Sequence, residues 1–179
     1  MLVIMVPGQE MYDASKNLFT TYKDTFLSLE HSLVSISKWE SKWHKPFYSN
    51  KEKTKEEVKD YIRCMTVGSI SDEFVYDRLT DENVKAINEY ILDPMTATTI
   101  NEQKKKPSRE ILTSEVFYYL MVAYNIPFEC QKWHINRLMT LIKICEIKNA
   151  PPKKMSKSEI LRQNHSLNAA RRAALHSRG

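Results

Sequence analysis

Glycine is scarce in this chain. Among 179 residues there are three glycines, Gly8, Gly68 and Gly179. All-β folds use glycine in many tight turns, and phosphate-binding loops use it where the backbone approaches a ligand. The scarcity therefore disfavours both classes and favours helices joined by short connections. With 42% hydrophobic residues, the chain still has enough apolar side chains for a core of its own.

Cysteine and long hydrophobic runs are also scarce. Cys64, Cys130 and Cys145 lie far apart without a C-x-x-C pair, which indicates reduced thiols in a cytosolic setting. The most apolar segment, residues 111–123, is shorter than the roughly 20 residues of a bilayer span. The apolar run at residues 2–6 is too short for a signal peptide. We therefore expect a soluble intracellular protein that does not enter a membrane.

Acidic residues are almost missing from the last 29 residues. Seven bases in residues 151–179 stand against one acid, Glu159, which gives a net charge of +6. Subtracting these from the totals of 27 and 22 leaves 20 bases and 21 acids in residues 1–150, a net charge of −1. This segregation predicts a helical body, residues 1–150, and a basic arm, residues 151–179. We expect the arm to bind something acidic or groove-shaped.

The hydrophobic pattern predicts a mainly α fold. We expect a multi-helix domain with a small N-terminal β element and a projecting C-terminal basic helix. Two short runs, residues 2–6 and 25–30, predict a pair of strands. Helices are predicted to begin near residues 33, 54, 80, 108 and 128, with a short turn capped by Ser71 between the second and third.

Three of the predicted helices carry specific expectations. The helix after Ser108 is apolar around most of its circumference, so we expect it to be central and surrounded by the others. Residues 128–147 predict one long amphipathic helix. In the arm, Ser156 and Glu159 form a capping box that predicts a helix over residues 157–175. Its apolar residues are too few to hold a helix together without a partner.

Three groups of residues resemble functional sites, but the sequence favours a structural interpretation of each. Cys130 and His134, with His44 and Cys64 as distant ligands, lack the paired spacing of a zinc site, so we expect a core cysteine beside a partly exposed histidine. The acids at the predicted helix starts suit the helix dipole and a solvated face better than a catalytic pair. Trp39 and Trp43 favour a core stripe over stacking on nucleic acid. The acids are Glu56, Glu57, Asp60, Asp81 and Glu82, and the tryptophans have Phe47, Tyr48, Lys38, Lys42 and Lys45 as neighbours.

In the arm a functional interpretation outweighs the structural one. Its cations lie among residues of high helix propensity that follow a helix cap. This pattern indicates a helix that orders on a partner. Composition alone favours an acidic or amphipathic protein helix and a phosphate backbone about equally. The candidate partner-binding residues are Lys153, Lys154, Arg162, Arg171 and Arg172. No catalytic, cofactor-binding or metal-binding residues are assigned.

Several longer sequence segments resemble those of a group of tailed-bacteriophage proteins known as tail assembly chaperones. The similarity covers nearly the whole chain from about residue 27. The segments are LEHSLVSISKWE at 29–40 with Trp43 and Lys45-Pro46-Phe47, DYIRCMT at 60–66, PMTATT at 94–99, IPFECQKWH at 126–134, PPKKMSK at 151–157 and LNAARR at 167–172.

The resemblance implies a non-enzymatic protein of phage tail morphogenesis in the host cytoplasm. Such chaperones bind the long, helical tape-measure protein and keep it soluble until the tail tube polymerises around it. The group has no defined catalytic or ligand residues, and none are transferred to this chain. Self-association into a homo-oligomer stays open.

Two alternative functions remain at this point. One is a permanent virion protein, such as a tail or head–tail connector component. The other is a nucleic-acid-binding phage protein that uses the basic arm. An enzyme is disfavoured, because the sequence pairs no nucleophile with a base.

Overall fold

The computed structural model describes residues 1–13, 17–100, 111–151 and 156–175. These residues contain four strands, six α-helices and two short 3₁₀ helices, so the predicted mainly α fold with a small N-terminal β element and a C-terminal helix is confirmed. The strands are β1 (Leu2–Val6), β2 (Glu10–Asp13), β3 (Leu18–Thr21) and β4 (Thr25–Leu29). The α-helices are α1 (Leu33–Trp43), α2 (Lys55–Met65), α3 (Asp81–Leu92), α4 (Ser114–Ala123), α5 (Ile135–Asn149) and α6 (Lys157–Ala174), and the 3₁₀ helices span Glu73–Asp77 and Phe128–Lys132.

The contacts divide the chain into two compact units, Met1–Cys145 and Glu146–Gly179. The division falls inside α5, so the first unit contains most of that helix and the second contains α6. The sequence placed its boundary after residue 150, and that placement stays a prediction. Within the described part of the chain, no helix has both the length and the apolar character needed to cross a bilayer.

The four strands belong to one antiparallel hairpin. β1 pairs with β4 and β2 pairs with β3 in a single continuous register. Between the two ladders, Gln9 and Tyr22 exchange backbone hydrogen bonds of 3.1 and 2.9 Å. β1 and β4 match the predicted pair. β2 and β3 were not predicted, because each has four residues, EMYD and LFTT, too few to show a clear alternation of apolar and polar residues. Tyr12 and Phe19 in these strands are exposed.

The strand ladder is interrupted where Pro7 and Gly8 separate β1 from β2. Proline has no N–H for the ladder, and the Gly8 N–H leaves the ladder to donate to Asp24 Oδ1 at 2.7 Å. A Cβ at Gly8 would lie 2.4 Å from the carbonyl oxygen of Tyr22. Only glycine therefore lets the two strands approach each other at this point.

The core of the first unit lies around α1. Leu33, Ile36 and Trp39 are almost completely buried on one face of this helix, and α1 packs against α2 and α4. The inner face of the hairpin adds alternate residues of β1 and β4 to the same core, and α3 packs against β1. These hairpin residues are Ile4, Val6, Leu27 and Leu29.

Helix starts were predicted well where a capping box marks them. Thr54 and Ser156 each accept a hydrogen bond from the backbone N–H three residues later, as predicted. For α3 the sequence allowed Thr80 or Asp81 as the start, and Thr80 is the cap. The short helix after residue 72 is capped by Asp72, so the prediction of Ser71 was wrong by one residue. Ser108 lies outside the described residues, and α4 begins at Ser114.

Two predicted helix faces were partly wrong. On α2, Tyr61, Ile62 and Met65 are buried as expected, but Val58 is exposed. The segment predicted as one helix over residues 128–147 is a 3₁₀ helix followed by α5, and Phe128 is exposed. Periodicity alone could not locate this break, because Phe128 fits the same apolar stripe as Ile135.

The prediction that the most apolar helix is surrounded by the others was also wrong. α4 buries Ser114, Phe117 and Met121 on one side. On the opposite side, Tyr119 is 70% exposed and Val122 is 60% exposed. The helix therefore packs on one face and presents apolar side chains on the other.

We expect Gly8→Ala to destabilise the first unit by about 1–3 kcal/mol, the usual cost of forcing atoms into a packed site. The added methyl group must displace the Tyr22 carbonyl from the hairpin. Urea unfolding monitored by circular dichroism measures the change. Lys23→Ala is the matched control, because it alters an exposed side chain next to Tyr22 and should stay within about 0.5 kcal/mol of the parent. Equal midpoints for Gly8→Ala and the parent would contradict the close approach.

Candidate partner-binding surfaces

Helix α6 begins at a well-formed cap. The Ser156 side chain accepts from the Glu159 N–H at 3.2 Å, and Glu159 Oε2 accepts from the Ser156 N–H at 2.8 Å. These hydrogen bonds also lower the pKa of Glu159, so this carboxylate stays charged beside the positive end of the helix dipole. Residues with high helix propensity then carry the helix to Ala174. The predicted arm helix is confirmed.

No residue of α6 is buried. Its four larger apolar side chains are all exposed: Ile160, Leu161, Leu167 and Leu175, the last of which caps the helix. Ile160, Leu167 and Ala174 recur every seven residues and so lie along one side of the helix. An isolated helix of this length is marginal in water, because most helical stability in proteins comes from packing.

The cations of α6 are distributed around the helix. Lys157, Arg162, Arg171 and Arg172 stand against Glu159, which makes a net charge of +3 (four minus one) over the helix. All four are exposed. Of the five predicted partner-binding residues, the structure thus places Arg162, Arg171 and Arg172 on one exposed helix, while Lys153 and Lys154 lie outside the described residues.

The acids of α2 are not the solvated cluster that the sequence predicted. Glu57 and Asp60 are buried, and only Glu56 is exposed. Lys45 Nζ lies 2.5 Å from Glu57 Oε1, and Lys42 pairs with Asp60. Burial alone would raise the pKa of Asp60, but hydrogen bonds from Lys42 and Trp43 outweigh it and lower the pKa. Both carboxylates are therefore charged and paired, and they join α1 to α2.

The tryptophans of α1 take part in the same contact. Trp39 is buried and donates from Nε1 to the Glu57 carbonyl at 2.9 Å. Trp43 donates from Nε1 to Asp60 Oδ2 at 2.9 Å. The predicted core stripe is confirmed for Trp39, whose ring also packs against Phe47. Trp39 is therefore not available to stack on a base.

Cys130 and His134 do not lie on one helix. Cys130 belongs to the 3₁₀ helix, and His134 precedes α5 and pairs with Ser32. Cys130 is buried as expected, but His134 is also buried, so its predicted partial exposure was wrong. Among the described residues, no three histidine, cysteine or acidic side chains come together as a metal site.

His134 instead forms a buried pair with His31, which the sequence analysis missed. The centroids of the two imidazole rings lie 5.0 Å apart. His31 Nδ1 is 2.5 Å from the Tyr61 hydroxyl, and His134 Nε2 is 3.0 Å from the Tyr90 carbonyl oxygen. Burial and the neighbouring His134 lower the pKa of His31 to about 3, and burial lowers the pKa of His134. Both rings are neutral in the folded protein, and their hydrogen bonds tie α2 and α3 to the core.

Another residue that the sequence analysis missed is Glu40, which is buried on α1. Its Oε1 accepts from the Phe47 N–H at 2.7 Å, and its Oε2 accepts from the Ser114 N–H at 2.7 Å. The second contact satisfies an N–H at the start of α4, where no side-chain cap is present. Glu40 therefore fixes the position of α4, including its exposed face. A charged residue within an apolar stripe was the only sequence signal for this role.

Comparisons with known proteins give no relative for this chain. No protein-family model matches it, and neither a curated protein nor a solved structure does so. The similarity to tail assembly chaperones therefore stays a prediction from the sequence segments given above.

We expect the stability of the folded protein to fall as the pH drops from 6.5 towards 3. The unfolded chain takes up protons at His31 and His134 near pH 6.5, whereas the folded chain does so only at lower pH. Below pH 6.5, each such histidine lowers the free energy of unfolding by up to about 1.4 kcal/mol per pH unit. Urea unfolding at a series of pH values measures this slope.

His31→Gln separates this contribution from that of the carboxylates. It should flatten the decline between pH 6.5 and 4 relative to the parent, even if it lowers stability at pH 7. His44→Gln, which removes an exposed imidazole, is the matched control. Parallel slopes for His31→Gln and the parent would show that the buried pair does not control acid stability.

Proposed function

We propose that this protein acts without catalysis, as a chaperone of the tape-measure protein in phage tail assembly. It would work in the host cytoplasm, before the tail tube polymerises. The family is inferred from the resemblance of the sequence segments, and α6 supplies a physical means of binding. No active site needs to be invoked for this role, because holding a client soluble requires only that its exposed apolar surface be covered.

The observation that carries the proposal is that α6 is capped but has no buried residue. A capped helix with its apolar side in solvent has already met part of the entropic cost of ordering. A client helix that packs along Ile160 and Leu167 would bury that side and supply the missing stabilisation. The second unit is thus suited to a partner that is itself helical and elongated.

The charges of α6 define which client helices it would accept. Lys157 and Arg171 lie beside the stripe of Ile160 and Leu167, whereas Arg162 lies on the opposite side of the helix. Acidic residues flanking an apolar stripe of the client would pair with Lys157 and Arg171. Exposed ion pairs contribute little individually, so the charges mainly select the partner while apolar burial provides affinity.

The first test is charge reversal of α6 in the full chain. Arg162→Glu, Arg171→Glu and Arg172→Glu together keep helix propensity and disturb no buried contact. Replacing attraction by repulsion at three positions should weaken client binding by about tenfold or more. The measurement is the soluble fraction of the co-expressed tape-measure protein.

The matched control reverses three exposed lysines of the first unit. Lys23→Glu, Lys55→Glu and Lys85→Glu change the net charge by the same amount, and we expect the client to remain soluble. If both triple variants keep the tape-measure protein equally soluble, α6 takes no part in the mechanism. If the tape-measure protein becomes insoluble to the same extent with both triple variants, the net charge of the chain, and not the position of the α6 cations, keeps it soluble.

The remaining alternatives give distinct results. A permanent virion protein would be found in purified particles by mass spectrometry, whereas a chaperone should be absent or scarce there. Arg171 and Arg172 are adjacent and exposed, which favours phosphate binding as the second candidate. That function predicts DNA binding that weakens steeply with salt and disappears in Arg171→Ala with Arg172→Ala.

A further inference from the structure

An open cleft of about 470 Å³ lies beside the first turn of α1. Its other walls are residues 64–68 at the end of α2, the residues that flank β1 and β4, and Lys132 of the second 3₁₀ helix. Small-molecule sites in proteins are concave and have volumes of this order. Because the walls come from distant parts of the sequence, no local pattern marks this cleft.

The middle of the lining is apolar or uncharged. Val34 and Cys64 are half-buried, Met65 is buried and Val67 is exposed, and all four line the cleft. Burial raises the pKa of the Cys64 thiol, so this side chain is uncharged at neutral pH. The apolar part of a ligand would be removed from water against these side chains.

Hydrogen bonds within the protein hold the walls of the cleft in place. Ser32 and Ser35 cap each other at the start of α1, with N–H to hydroxyl distances of 3.0 and 3.3 Å. The Val67 N–H donates to the Ser28 carbonyl at 2.8 Å, which fixes the segment after α2 against β4. A ligand therefore meets a preorganised site and loses little affinity to ordering it.

Positive charge is in excess among the groups that line the cleft. These groups are Lys38, Lys132, Glu30 and the amine of Met1. Glu30 is already engaged, because its Oε1 accepts from the Tyr90 hydroxyl at 2.6 Å and its Oε2 lies 3.2 Å from the amine. Both lysines are exposed, and neither forms an ion pair with a described residue. Two lysines thus face one carboxylate even when the amine is not counted.

The surroundings of the cleft do not offset this excess. The nearest further acid on α2 is Asp60, whose charge acts on Cys64. Asp60 pairs with Lys42, and Arg63 lies 3.6 Å from it, so its charge is balanced locally. The first turn of α1 contains no acidic residue, and its dipole adds to the positive potential of the lysines.

We propose that this cleft binds a small organic anion with an apolar body, either a carboxylate or a phosphate monoester. Lys38 and Lys132 would pair with the anionic group, and the apolar body would contact Val34, Met65 and Val67. An ammonium group is a compact point charge without the fixed fork of a guanidinium, so it accepts both kinds of anion. The proposal goes beyond the chaperone function and requires no residue of α6.

Three probes with one apolar body separate the effect of charge from that of shape. They are phenylbutyrate, phenylbutyl phosphate and the neutral phenylbutanol. Heteronuclear NMR titration of the full chain gives each Kd and locates the site by its amide shifts. We expect saturable shifts at Val34, Val67 and Gly68, with at least one anion bound about fivefold or more tightly than the alcohol. The more tightly bound anion identifies the headgroup.

Lys38→Gln with Lys132→Gln removes both ammonium groups from the cleft. Because both side chains are exposed, the fold should persist, and the NMR spectrum verifies this. We expect the Kd of the anions to rise about fivefold, to that of phenylbutanol. Lys23→Gln with Lys85→Gln is the matched control, since it changes the net charge equally and should leave the Kd unchanged. Equal Kd values for the two double variants overturn the proposal, and so does equal binding of the alcohol and both anions.

Alkylation of Cys64 gives a second measurement on the unchanged chain. The more tightly bound anion, at saturation, should slow the reaction of Cys64 with N-ethylmaleimide several-fold, as measured by mass spectrometry. Cys145 is also half-buried but does not line the cleft, so its reaction rate should stay the same. An unchanged rate at Cys64, or equal slowing at both cysteines, shows that the anion does not bind in the cleft and overturns the proposal.

Discussion

The burial of α1 is the constraint on which the rest of the first unit depends. Its face, formed by Leu33, Ile36 and Trp39, is almost completely excluded from water. Burying large aliphatic and aromatic side chains contributes roughly 1.5–3 kcal/mol each, so α2 and α4 gain most by packing around this helix. The polar residues of α1 then fix how they pack, because a buried carboxylate such as Glu40 must find its donors.

That requirement links the core to the exposed surface. Glu40 accepts from Ser114 and so determines where α4 begins. The same helix presents Tyr119 and Val122 to solvent. The position of this exposed apolar side is thus set in part by a hydrogen bond inside the core. A second surface, α6, depends on its own cap and on no buried contact.

Much of the fold could be predicted from local pattern. Capping boxes located the starts of α2 and α6, because Thr54 and Ser156 satisfy orphan N–H groups within one turn. Burial was harder, since it depends on which elements meet. Glu57 and Asp60 seemed solvated, yet Lys45 in the loop after α1 pairs with Glu57 and Lys42 on α1 pairs with Asp60. The His31–His134 pair joins residues about a hundred positions apart, beyond any spacing rule.

The sequence by itself determined the mainly α class, the charge segregation and the helix of the basic arm. All three depend on composition or on contacts within a few residues, which physical rules translate directly. Only the tertiary structure decided which side of α4 is exposed and which acids are buried. An apolar helix has no polar face to show which side meets solvent, and the choice comes from packing against α1. Long-range packing, unlike a cap, leaves no local trace in the chain.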